Sequence, residues 1–133
     1  MLRVSKRHVD EAIAHCRSRY PKEACGLFGG KESRVEAVYL MRNAEDSPIS
    51  YSMDPREQLQ VEKQMRQKGQ KLIGIFHSHT ASAAYPSSVD VNLALSPDIS
   101  YVLVSLKDQK NPDFRSFRID GKAITEEPVQ VDA

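Results

Sequence analysis

The apolar positions of this chain follow two rhythms that alternate along it. Val9, Ala12, Ile13 and Cys16 recur at three- and four-residue spacings, the period of a helix with one buried face. They predict a helix over residues 5–19, with Ser5 as N-cap and Pro21 ending it. Ala24–Phe28 is a short apolar run closed by Gly29-Gly30, the pattern of a buried strand with a tight turn. The β-rich stretch Arg34–Met41 pairs with it as a hairpin. Asn43–Ser50 is polar with a proline, hence a loop. Asp54-Pro55 reads as an N-cap followed by the first helical residue. The helix it opens runs to Gln67, with Leu59, Val61 and Met65 partly buried and Arg56, Glu57, Glu62 and Lys63 in solvent. Leu72-Ile73-Gly74-Ile75-Phe76 makes Lys71–His77 a central strand. Thr80–Pro86 is small and flexible, a reasonable lid or simply a connecting loop, and Ser87–Leu95 is a short helix. Ile99–Leu106 is a strong strand, and Phe114–Ile119 alternates as a half-buried one after a turn at Asp108–Asp113. Gly121-Lys122 turns the chain again, leaving Ala123–Val131 as an edge strand or a tail. The sum is a mixed α/β fold in one domain over residues 1–133, with roughly five or six strands and three helices.

Composition narrows the function classes. The 133 residues suit one core, and 40% apolar with 28% charged residues is ordinary for a soluble globular chain. Net charge is +1, and no basic run exceeds two residues, so neither nucleic acid nor an anionic membrane is expected as a partner. The segment Met1–Arg7 lacks the apolar stretch of a signal peptide, and Ile99–Leu106 is too short to cross a bilayer. A cytoplasmic location is the default expectation. Cys16 and Cys25 form no CxxC pair and read as buried thiols.

The chemistry concentrates in His77-Ser78-His79, followed after seven residues by Ser87-Ser88-Val89-Asp90. In extended chain, positions two apart point to the same side, so both imidazoles can face one ion. Two imidazoles and a carboxylate suffice to hold a catalytic zinc with a fourth position open for water. Ser87-x-x-Asp90 also matches a helix capping box, and the two roles are compatible. Glu23, after Pro21 and just before an apolar strand, is the best general acid/base, since a carboxylate there can project into a cleft between sheet and helix. Ser87 is a donor for a carbonyl oxygen that gains charge. His8 and His15 fall on the first helix and read as packing or surface groups. Tyr85 suits either substrate contact or packing.

Taken together, Glu23…His77-Ser78-His79-x7-Ser87-x-x-Asp90 resembles the JAMM motif of the JAB1/MPN/Mov34 metallopeptidases. Pro21-Lys22-Glu23-Ala24-Cys25-Gly26-Leu27 is similar to the family's glutamate-bearing segment. The resemblance extends from the first helix to Phe114–Ile119. It implies an MPN/JAB fold, a mixed sheet flanked by helices and similar to that of cytidine deaminases. It implies one Zn2+ per chain, held by His77, His79 and Asp90 with water as fourth ligand. Glu23 would be the general acid/base, and Ser87 would stabilise the tetrahedral intermediate. The reaction implied is hydrolysis of the amide or isopeptide bond after the C-terminal glycine of a ubiquitin-like or sulfur-carrier protein. Thr80 stands where many relatives have proline. Only eight residues separate Asp90 from Ile99, too few for the insertion of the eukaryotic deubiquitinases, which argues for a compact prokaryotic type. A substrate tail would add as a strand along Arg34–Met41 or Ser47–Tyr51. A scaffold lacking catalysis is disfavoured because every ligand is present, and a nucleoside deaminase because its H-x-E and P-C-x-x-C signature is absent. Hydrolysis of small amides stays open as the alternative.

Overall fold

The computed structural model describes residues 1–133. Along the chain run β1 (Leu2–Ser5), α1 (Lys6–Arg19), β2 (Cys25–Lys31), β3 (Arg34–Met41), α2 (Pro55–Gln67), β4 (Lys71–His79), α3 (Ser88–Leu93), β5 (Ser100–Ser105), β6 (Asp113–Asp120), β7 (Ala123–Glu127) and β8 (Val129–Asp132). All eight strands join one sheet in the order β7-β6-β5-β4-β2-β3-β1-β8. β2 runs antiparallel to β3 and β4, while β4 and β5 are parallel and joined across α3. Only Pro128 separates β7 from β8, yet they stand at opposite ends of the strand order, so the sheet curls until its edges meet. Leu2 N–H donates to Pro128 O at 2.9 Å at this closure. Beside it, buried Glu127 accepts from Ser100 Oγ, Ser116 Oγ and Arg118 Nε.

Eight strands therefore replace the five or six expected. β1 was hidden because it has four residues and abuts the stronger helical pattern, although Leu2 and Val4 alternate inward at 1% exposure each. The C-terminal stretch forms two strands, broken where Pro128 cannot donate. Gly29-Gly30 does not make the hairpin turn: β2 continues to Lys31, and the chain reverses at Glu32, where φ is 54°. Gly30 is needed for close approach at a bulge, since a Cβ there would lie 1.9 Å from Arg34 O. Leu59 is 66% exposed, because it lies two positions from Val61, on the far side of α2. β3 is an interior strand, paired with β2 along its length and meeting β1 at Arg34, and Ser47–Tyr51 forms no strand.

The sheet has one face under α1 and one under α2 and α3. On the first, Ala12 and Cys16 pack on Val4, Phe28, Phe76, Val102 and Val104. On the second, Cys25, Leu27, Met41 and Met65 form a patch under α2, and Ala84, Leu103, Phe117 and Ile119 form another beside α3. A bulge in β4 decides what else reaches this second face. The ladder to β2 passes from Gly29↔Leu72 to Phe28↔Gly74, leaving Ile73 unpaired. Leu72 and Ile75 consequently share the α2 face while Ile73 and Phe76 share the other. Such a one-residue phase shift moves every later side chain across the sheet, and here it brings His77 and His79 to the α2/α3 face. No helix is long and apolar enough to cross a membrane.

Candidate metal centre

β4 extends two residues beyond the expected end, so both histidines lie inside it. His77 is in register with Cys25 of the α2 patch and Leu103 of the α3 patch, and thus sits on the seam between them. His79 pairs with Ser105, and each histidine is 5% exposed. Ser78 faces the opposite side, fully buried. Its Oγ accepts Ala24 N–H at 2.8 Å and its own N–H donates to Ala24 O at 3.0 Å, clipping the Glu23 segment to the strand that carries both histidines. Residues 80–86 are tethered and form no free lid: Ser105 Oγ–H donates to Ser82 O at 2.6 Å, and Ala84 is buried among Leu103 and Phe117. Thr80 Oγ–H reaches Pro48 O at 3.1 Å. Tyr85 packs edge-on against Phe117 and is otherwise exposed.

The capping box forms as the spacing suggested. Ser87 Oγ accepts Asp90 N–H at 3.1 Å, and Asp90 Oδ2 accepts Ser87 N–H at 2.9 Å. The helix it starts ends at Leu93, short of the expected Leu95. Asp90 serves the histidines as well. His79 Nε2 lies 2.9 Å from its Oδ2 and His77 Nε2 lies 3.1 Å from its Oδ1. One donor atom from each of His77, His79 and Asp90 falls within 4.8 Å of the others, a group that could hold a metal ion.

The electrostatics suit a cation. His77 Nε2 is buried with no hydrogen-bond partner, because its short contact to Asp90 lacks hydrogen-bond alignment. Burial lowers the His77 pKa although Asp90 opposes it, which favours a neutral ring with a lone pair to offer. For His79 burial pulls downward too, but Asp90, the Ala83 carbonyl and Glu23 outweigh it and the net shift is upward. Ala83 O can only accept, so His79 Nδ1 carries the proton across their 2.9 Å contact and Nε2 is free to act as a ligand. Burial would raise Asp90, yet both imidazoles and Ser87 N–H hold it far below the usual carboxylate range. Glu23 is 6% exposed, and burial, with Asp90 and Glu45 nearby, pushes its pKa up to about 7 despite His79.

The sequence pattern of the prokaryotic homologs of the JAB domain matches residues 5–120. The chain belongs to this prokaryotic JAB family. It is 47% identical over 125 residues to a CysO-cysteine peptidase of Mycobacterium tuberculosis, covering 92% of this chain and 86% of that one. It is 39% identical over 84 residues to a desampylase of Pyrococcus furiosus, covering 63% and 60%. Among solved structures, a protein from Desulfitobacterium hafniense superposes with a TM-score of 0.91 at 41% identity, covering 99% of this chain and 93% of that chain. A JAB1/MPN domain protein from Archaeoglobus fulgidus gives a TM-score of 0.68 at 17% identity, covering 99% and 100%, and shares the fold.

In this JAB-family chain the sequence reading missed three supports of the site. Asn43 Nδ2 donates to Glu23 O and to Ser50 O, both at 3.0 Å. Glu23 N–H donates to Ser47 O at 2.8 Å, so the base candidate is pinned by its backbone on both sides. The Tyr51 ring stacks on His77, with centroids 4.4 Å apart and planes 25° from parallel. An aromatic in an otherwise polar loop was the only signal for it. Tyr51 also walls a cleft of about 500 Å³ that includes Met53, Leu93 and Tyr101. Cys16 and Cys25 are unpaired, buried in patches on opposite faces, and burial pushes both thiols up to about 12, so they are inert at neutral pH. His15 is buried against Met41 O at 3.2 Å and His8 is also buried, so of the packing and surface readings open to them both take the first.

Proposed function

We propose that this chain is a zinc-dependent metallopeptidase that hydrolyses the amide bond joining the C-terminal glycine of a ubiquitin-like or sulfur-carrier protein to an amine. The observation that carries the reading is the convergence of His77, His79 and Asp90 on one point of the sheet, with the buried Glu23 electrostatically coupled to His79 and Asp90. The names of the relatives support the substrate class: a CysO-cysteine peptidase, a desampylase, and a probable TtuB-protein conjugate cleaving protease of Thermus thermophilus.

The residues fit zinc. Neighbouring donor atoms on a tetrahedral zinc with bonds of ~2.0–2.1 Å stand about 3.3 Å apart. His77 Nε2 and His79 Nε2 approach different oxygens of Asp90, at 3.1 and 2.9 Å, and one donor atom from each residue lies within 4.8 Å of the others, near enough for one ion to collect all three. The orphaned His77 Nε2 gains a partner if it ligates, which removes the cost of burying it unsatisfied. Three protein ligands of N and O type match a catalytic rather than a structural zinc. Bound there, zinc supplies Lewis acidity and makes a water acidic near neutral pH.

The chain's own residues then divide the work. Glu23, whose pKa burial pushes up to about 7 in the metal-free site, accepts a proton from the attacking water and returns it to the departing amine. Ser87 Oγ accepts the Asp90 N–H, leaving its own O–H to donate to the substrate carbonyl oxygen as charge develops. Asp90 stays ionised throughout, and Ser78 holds the Glu23 segment against the ligand strand.

The test is a ubiquitin-like protein extended through Gly-Gly to a single amino acid, with release of that amino acid followed by mass spectrometry. Cleavage that ends with chelation and returns with added zinc supports the reading. Cleavage unaffected by chelation contradicts it, and turnover of small acyl-amino acids with the protein conjugate left intact favours the small-amide alternative.

A further inference from the structure

The two histidines stand two residues apart on one strand, yet they are held differently. His79 has a support behind its ring, Nδ1–H donating to Ala83 O at 2.9 Å, while its Nε2 faces Asp90 Oδ2 at 2.9 Å. His77 has no such anchor: its Nε2 lacks an aligned partner, and its Nδ1 makes no hydrogen bond within the protein. Metal-binding histidines usually depend on a hydrogen bond behind the ring to fix their orientation. His77 has a flat surface in its place. Tyr51 covers one face at 4.4 Å and 25°, and the edge of His79 stands 5.1 Å away at 67°.

Tyr51 is itself held firmly for a loop residue. The Asn43 amide brackets it, with Nδ2 donating to Ser50 O at 3.0 Å and Oδ1 accepting Ser52 N–H at 3.1 Å. Ala44 N–H adds a bond to Ser52 O at 2.8 Å. The same Asn43 Nδ2 reaches Glu23 O, so one amide sets the Tyr51 plate and the base segment relative to each other.

We infer that Tyr51 is a positioning residue that fixes the His77 imidazole by stacking, doing for His77 what the Ala83 carbonyl does for His79, with Asn43 as its anchor. The inference rests on the zinc reading above. It gives the polar loop before α2 a direct role in metal affinity, although none of its residues belongs to the ligand cluster.

The test is competition for zinc against a chromophoric chelator, using the parent chain, Tyr51→Phe, Tyr51→Leu and Tyr51→Ala, with absorption spectra of the cobalt-substituted proteins alongside. Loss of a support behind a metal ligand typically weakens affinity ~10–100-fold. Tyr51→Ala should fall in that range with an altered cobalt spectrum, and Tyr51→Phe should restore parental affinity and spectrum. Tyr51→Leu keeps comparable bulk without a flat ring, so it should fold and still bind weakly. Thermal melts of the metal-free proteins identify any variant that fails to fold, and Tyr51→Leu then decides. Parental affinity and spectrum in folded Tyr51→Ala or Tyr51→Leu would overturn the inference. A parent chain that binds no zinc would overturn the proposed function, and this inference with it.

Discussion

Asp90 and Glu23 bring carboxylates to one site from two very different regions, and those regions treat them in opposite ways. Asp90 sits in the first turn of a helix, where Ser87 N–H and two imidazole nitrogens surround it and hold it ionised. Glu23 lies on an irregular segment whose backbone is pinned by Ser47 and Asn43, while burial outweighs every other influence on its carboxylate and leaves it near pH 7. In the proposed roles a carboxylate that binds a metal must be ionised at working pH, whereas a proton carrier works best when it is close to undecided. The chain makes that distinction with local structure. The capping box gives Asp90 the Ser87 N–H and aims its carboxylate at the two imidazoles of β4, whereas Glu23 has backbone anchors but little to solvate its charge.

The contrast can be broken most severely at Asp90. Asp90→Asn should lose bound zinc and at least ~10³-fold in kcat/KM, since the Lewis acid goes with the ligand. Metal content and turnover of the same sample check it. Glu23→Gln should keep zinc and lower kcat by ~10²–10⁴-fold, the range for a missing general acid/base. Loss of zinc in that variant would place Glu23 on the ligand side of the contrast. Ser87→Ala should lower kcat by ~10²–10³-fold and stability by ~1 kcal/mol, because the serine is both donor and cap. Ser87→Asp retains the cap without a donor at neutral pH, so a melt that recovers while kcat does not would separate the two roles.

The smallest expected effect is on stability against pH. Between the ordinary glutamate value of 4.5 and about 7, folded metal-free protein keeps a proton on Glu23 that the unfolded chain has released. Stability of the parent therefore falls as pH rises through that window. Glu23→Gln removes this fall, so its advantage in Tm should grow from below 4.5 to its full size above about 7. A difference that stays constant across the window would mean that Glu23 is not held protonated by burial.

The grouping of His77, His79 and Asp90 was legible in the sequence because its geometry is local. His77 and His79 need only an extended backbone to share a face, and Ser87 with Asp90 needs only one turn of helix. Glu23 was legible as a residue type in a setting, but its pinning by Asn43 and Ser47 comes from the loop over residues 42–54, which lies beyond the β2–β3 hairpin and follows no period. Tyr51 was illegible for the same reason. The helices came out within a residue or two, whereas β1 and β8 did not, since four-residue strands that pair in parallel with distant segments leave little pattern of their own. The bulge at Ile73 was invisible as well, although the side on which both histidines emerge depends on it.

The most direct measurement is the zinc stoichiometry of the parent chain, Asp90→Asn and Glu23→Gln by native mass spectrometry after identical zinc loading and desalting. The division of labour between the two carboxylates predicts one zinc in the parent, none in Asp90→Asn and one in Glu23→Gln. Zinc retained by Asp90→Asn, or lost from Glu23→Gln, would contradict it.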